Sequence, residues 1–239
     1  MKKITAFLYI INKKDLAKIK ICVILISSMS IGIWEIGKKQ WLYHKDKQNY
    51  NLVQEEKENS GDMQTYLSDK NFDWITISNT AVDYPVVQYT DNEYYTTHDY
   101  EGKESIGGAI YYDAFDDPFN GRMTTIYGHS MKNGTMFNNL HFFQKDHQKF
   151  KDSILTIETA EGARKYKPFA YYVTSNNFFY KDIDNMEVFE AVSLIKQNSD
   201  YFINSVEYDE NSHIVGLYTC DYSINNGRLI VFYISDNNN

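Results

Sequence analysis

The sequence predicts a mainly β protein whose short strands close, or nearly close, into a barrel with a few helices at its periphery. Three observations point there. Eight β-prone runs succeed one another at 74–77, 84–89, 108–112, 124–127, 154–159, 165–174, 213–220 and 228–234, with turn residues such as Ala160-Glu161-Gly162-Ala163 between them. Only two stretches interrupt the series with helical spacing. The composition also fits a packed β domain: twenty-one tyrosines against three prolines, since aromatic side chains favour pleated, half-buried surfaces.

The first helical stretch, 135–150, sets Phe137, Leu140 and Phe143 along one face. The second, 186–198, does the same with Val188, Ala191, Val192 and Ile195, behind Asp184 as cap with Glu187 three residues on. At 239 residues the chain holds one domain with an accessory segment. A net charge of −8 and a pI near 5.2 exclude nucleic acid as a main partner, because phosphate binding relies on clustered Lys and Arg.

The accessory segment is N-terminal. Residues 1–20 carry six lysines and one acid, Asp15, and from Ile21 to Trp34 no residue is charged. Fourteen apolar or uncharged residues fall short of the roughly 20 a membrane span needs. Snorkelling of Lys18, Lys20 and Glu35 extends the run. A cleaved signal peptide matches the length, but the run starts late and no Ala-x-Ala site follows. The reading is an uncleaved anchor at 21–36, a cytoplasmic basic N-terminus at 1–20, and the rest outside, because the lysine excess precedes the span. Residues 37–71 read as a stalk and short helix with Asp62 as N-cap, and 72–239 as the globular β-barrel domain.

Two cysteines occur, Cys22 in the apolar run and Cys220 near the C-terminus. Outside the membrane Cys220 has no partner, and a lone thiol there is a candidate nucleophile. It ends the strand 213–220, and Arg228 opens the strand 228–234 after the turn Asn225-Asn226-Gly227, so a hairpin brings thiol and guanidinium to one rim. Of six histidines, His129 alone follows a β-prone strand that ends in a glycine, Thr124-Thr125-Ile126-Tyr127-Gly128. With ordinary pKa values near 8.5 and 6.5, roughly 0.7% of molecules carry thiolate and imidazolium together at pH 7. A neighbouring cation such as Arg228 favours the thiolate and stabilises a developing oxyanion. Arg228 stays protonated, which leaves His129 for proton transfer.

Leu217-Tyr218-Thr219-Cys220 followed by Arg228 resembles the Thr-Leu-x-Thr-Cys…Arg signature of sortases. Tyr127-Gly128-His129-Ser130-Met131-Lys132-Asn133-Gly134-Thr135-Met136-Phe137-Asn138-Asn139-Leu140 is similar to the histidine segment of class B sortases. Trp74-Ile75-Thr76-Ile77 with Val82-Asp83-Tyr84-Pro85-Val86-Val87-Gln88 is similar to their opening strands. The likeness spans roughly residues 60–235, and its one departure is Gly216, where the family pattern has Thr.

The resemblance implies a closed eight-stranded sortase-type β-barrel and a cysteine transpeptidase on the outer face of a Gram-positive membrane. Cys220 would attack a threonine carbonyl in the C-terminal sorting signal of a secreted surface protein. His129 would serve as acid and base, and Arg228 would hold the substrate and the oxyanion. A cell-wall precursor amine would then resolve the thioacyl-enzyme. Leu217, Thr219, Ser130 and Tyr222 would shape the substrate groove. No cofactor and no metal are implied. Three rivals stand beside this reading. A papain-like cell-wall hydrolase places its cysteine before its histidine and at a helix start, the reverse of the order here. A tethered binding domain without activity has only Gly216 in its favour. Metal binding through Cys220 lacks ligand spacing.

Overall fold

The computed structural model describes residues 13–175, 183 and 185–235, so the predicted cap Asp184 lies outside the described residues. The chain divides into two units, one up to Lys45 and one from Asp46 onward. Helix α1 (Lys13–Asn59) carries the described part of the first. There Ile21, Val23, Ile24, Leu25, Ile26, Ile31, Ile33 and Trp34 are all exposed, and the helix is long and apolar enough to cross a membrane.

In the second unit nine strands alternate with turns: β1 (Asp73–Ile77), β2 (Asp83–Val87), β3 (Ile110–Tyr112), β4 (Met123–Tyr127), β5 (Leu155–Thr159), β6 (Gly162–Thr174), β7 (Tyr201–Phe202), β8 (Ile214–Asp221) and β9 (Gly227–Ser235). Their order is β5-β1-β2-β3-β4-β8-β9-β6-β7, and a further β5–β6 pairing closes eight of them into a barrel, leaving β7 as a two-residue flap on β6. Closure removes the free edges that would otherwise pair with other chains. Each of the eight predicted strands is present within a few residues of its expected ends.

Side chains alternate across the barrel wall, as strand geometry requires. Inward-facing Ile75, Ile126, Val215, Leu217, Leu229 and Val231 build the main core. Outward-facing Met123, Ile214, Ile230, Phe232 and Ile234 form a second core under α4 (Val188–Asn198), whose Val188, Ala191, Val192 and Ile195 are buried as the spacing predicts. Glu187 stands at the N-cap position of that helix and makes no side-chain capping bond.

The region predicted as a stalk packs on the barrel from Asp46. Tyr50 and Val53 join the core, and the Tyr50 hydroxyl donates to the Gly108 carbonyl at 2.7 Å. Asp62 does cap α2 (Met63–Ser68), accepting from the Thr65 amide at 2.9 Å. The single helix expected over 135–150 is instead a 3-10 turn (Phe137–Phe142) and a short α3 (His147–Lys151). Met136 before the turn takes φ 56°, which no helix interior accepts, and Asp146 caps α3 through the Lys149 amide.

His213, just before β8, is held between the rings of Phe119 and Tyr166, with Nε2 3.1 Å from Thr124 Oγ1 and a buried Nδ1 that has no hydrogen-bond partner among the described residues. Burial, then Arg164 and Arg122, pull its pKa down to about 4. The unfolded chain, with an ordinary histidine near 6.5, binds the extra proton first, so this site stabilises the fold above about 6.5 and that contribution is lost as pH falls toward 4. Unfolding midpoints followed from pH 7 to pH 4 should therefore fall less steeply in His213→Phe than in the wild type. Parallel slopes would remove His213 as an acid-sensitive element.

Candidate active site

Strand parity decides which side chains meet. On β8, Tyr218 and Cys220 share the outward face with Ile214, while Val215, Leu217 and Thr219 turn inward. On β9, Arg228 shares the outward face with Ile230 and is the cross-strand partner of Cys220. The β4–β8 pairing is parallel and ends at Tyr127↔Tyr218, so two residues further on each chain His129 and Cys220 emerge on one side. A cavity of about 260 Å³ is lined by His129, Cys220 and Arg228 together with Thr96, Tyr111, Tyr127 and Tyr218. Both cysteines are free, and Cys220 is partly exposed.

His129 is fixed at the neck of a loop. The Phe137 amide donates to the His129 carbonyl at 3.0 Å, and Ser130 and Met136 form an isolated bridge just beyond. Gly128 earns its place by close packing rather than by turning the chain: a Cβ there would run into Ile110 and lie 2.7 Å from Phe137 Cδ2. The His129 Nε2 donates to the Thr96 carbonyl at 2.8 Å, a partner that assigns the proton to Nε2. Thr219 ties β8 to the same neck, its Oγ1 donating to the Gly128 carbonyl at 2.7 Å.

Arg228 Nη1 donates to the Gly227 carbonyl at 2.9 Å and to Asn226 at 3.4 Å, which holds the guanidinium over the hairpin turn. Burial pushes the Tyr218 phenol up; Arg228, which it meets by charge and hydrogen bond, pulls it down, and Cys220 pushes it up again, with a net rise. Tyr218 is thus a neutral O–H beside thiol and guanidinium. Tyr127 is oriented by its hydroxyl, which donates to Asp113 Oδ2 at 2.7 Å, and its ring packs on Tyr218 with centroids 5.3 Å apart.

The other residues named from sequence are distributed differently. Thr219 lines the cavity. Leu217 does not, because its parity sends it into the barrel core at 0% exposure. Ser130 is buried behind His129, bonded to Asn138 and His141. Tyr222 stands 72% exposed on the β8–β9 loop, beside a second cavity that Cys220 and Arg228 also line. Tyr111, Tyr127 and Thr96 were not singled out from the sequence; only Tyr127 and Tyr218, inside quoted motifs, carried a signal. Gly216 faces outward under α4, where the Met123 methyl occupies the room a side chain would take. Among the described residues no three His, Cys, Asp or Glu side chains gather to hold a metal ion.

The family model of the sortase domain matches residues 75–233. Sortase B of Listeria monocytogenes is 32% identical over 236 residues, covering 91% of this chain and 94% of that protein. The chain belongs to the class B sortases. The structure of Bacillus anthracis sortase B, 26% identical, superposes with a TM-score of 0.68 over 81% of this sortase and 97% of its own chain. A Streptococcus pyogenes class B sortase involved in pilus biogenesis, 27% identical, gives 0.65 over 75% and 100%. Membership places this sortase among the cell-wall transpeptidases.

Proposed function

We propose that this sortase cleaves a C-terminal sorting signal after threonine, through a thioacyl-enzyme on Cys220, and transfers the new carboxyl end to a cell-wall amine. The observation that carries the reading is the convergence of His129, Cys220 and Arg228 on a single cavity. The Cys220 thiolate attacks the threonine carbonyl carbon, and its electrons move to the carbonyl oxygen. Arg228, with the Tyr218 hydroxyl beside it, stabilises that oxyanion. As the C–N bond breaks, His129 gives a proton to the leaving nitrogen. An incoming amine then loses a proton to His129, attacks the thioester and expels the thiolate. The apolar, exposed first half of α1 supports a membrane anchor that keeps the barrel on the outer face.

The test follows the mass of the full chain in mild detergent with a panel of Pro-x-Thr peptides. The expected result is a thioacyl adduct on Cys220 that an added amine discharges into a peptide–amine product. Oligoglycine-type and lysine amines in separate arms distinguish peptidoglycan from pilin acceptors. A Cys220 that is alkylated but never acylated would favour the tethered binding domain, and hydrolysis unaffected by amine would favour the hydrolase.

A further inference from the structure

A second histidine, not among the residues that line the cavity, holds the main chain of the nucleophile. Carbonyls of alternate residues along β8 point to the same side. The Tyr218 carbonyl is taken by the Gly128 amide at 3.1 Å, on the β4 side. Two residues on, the chain after Gly128 has turned away into the histidine loop, and among the described residues no main-chain amide beyond Gly128 is bonded to the Cys220 carbonyl. His141, on the 3-10 turn, reaches it: its Nε2 stands 3.2 Å from the Cys220 carbonyl, a contact in which the nitrogen donates when Nε2 carries the proton.

The ring is itself held from behind. Nδ1 lies 3.2 Å from Gln144 Oε1 and 3.5 Å from Asp221 Oδ2, and Gln144 Nε2 donates to the same carboxylate oxygen at 3.2 Å. Ser130 Oγ, which accepts from Asn138, stands 3.1 Å from Nε2. The Asp221 side chain is only 3% exposed. Burial works against its charge, but the Ser223 hydroxyl and amide, Gln144 and His141 outweigh it and keep the carboxyl below the usual carboxylate range. A carbonyl at a strand end needs only a water to satisfy it; a histidine backed by a buried carboxylate is a rigid alternative.

We propose that His141, braced by Asp221 and Gln144, is a positioning residue for Cys220: it grips the main chain of the nucleophile and fixes the direction of the sulfur. Asp221 has inward parity and Cys220 outward, so the brace acts from the face opposite the thiol and touches no reacting atom. Its kinetic consequence rests on the transpeptidase reading. Misplacement of a reacting group by about 1 Å costs on the order of a hundredfold.

The experiment compares full-length wild type, His141→Phe, Asp221→Asn, the double variant and His141→Gln in detergent. Thermal unfolding and complete alkylation of Cys220 verify that each is folded. With a peptide that acylates the wild type, His141→Phe should lower kcat ten- to a hundredfold and leave KM within threefold. Asp221→Asn should do likewise, and the double variant should be no worse than the poorer single. His141→Gln keeps a donor for the carbonyl and should recover most of the loss. A kcat within twofold of wild type, a loss confined to KM, or losses that multiply would overturn the proposal. If His141→Phe fails to fold, Asp221→Asn against His141→Gln decides by the same limits. If no peptide acylates the wild type, the transpeptidase reading fails separately. The iodoacetamide rate at Cys220, read on its tryptic peptide, then decides: at least threefold slower in His141→Phe supports the brace, and an unchanged rate removes it.

Discussion

Cys220→Ala forms no thioacyl adduct and turns over no sorting peptide above background. The effect is total because Cys220 is the thiol of the cavity lining, and the imidazole, hydroxyls and phenols beside it are far weaker nucleophiles toward a peptide carbonyl near neutral pH. The barrel survives the change. Cys220 is partly exposed at the end of β8, and its removal leaves the pairing of residues 214 to 219 with β9 and the Thr219 bond to Gly128 in place. Loss of one half-exposed sulfur should cost about 1 kcal/mol or less. Intact-protein mass after incubation with peptide, beside a thermal melt, reads both. Turnover by Cys220→Ala within tenfold of the wild type would remove Cys220 as the nucleophile, and with it the mechanism proposed above.

His129→Gln gives the second largest effect. Glutamine still offers an N–H to the Thr96 carbonyl that His129 now engages at 2.8 Å, so the neck of the loop keeps its shape. It cannot lend a proton to the leaving amine or take one from the incoming amine near neutral pH. The expected loss is about a thousandfold in kcat, with KM little changed and the pH dependence of turnover flattened. A loss below tenfold would mean that solvent or another group moves the proton. Thr96 holds Nε2, so Nδ1 is the nitrogen open to the leaving amine unless that bond breaks during turnover, and either way Thr96 sets the direction of the ring. Residues around the 3-10 turn Tyr94–Thr96 should therefore affect acylation without touching the thiol.

The barrel was legible in the sequence because its signals are local. Runs such as 154–159 and 165–174 are rich in β-branched and aromatic residues and bounded by turn residues, and the hairpin partners Cys220 and Arg228 lie only eight positions apart. The region 135–150 misled because Phe137, Leu140 and Phe143 are three apart, a spacing that serves a 3-10 turn as well as an α-helix. Nor does any local pattern show that His129 meets Cys220: the strands that carry them pair in parallel across some ninety residues, and only the family resemblance joined them. Leu217 lies in the core and not in the groove because strand parity within its own motif turns it inward. His141 carries no local signal because both the carbonyl it faces and the carboxylate behind it lie about eighty positions away.

The outward parity of Cys220 and Arg228 sets a rule of access. A site in the lumen of a barrel admits only what can enter through an opening, so a chain must offer a free end. A site on the outer wall can be crossed sideways, with polypeptide continuing in both directions. Such a wall can sever a chain at an interior bond while a folded body remains on one side and a tail on the other. It can also present the acylated end to a bulky amine without first releasing anything from an enclosed space. The closed sheet behind the thiol is then an anvil rather than a container.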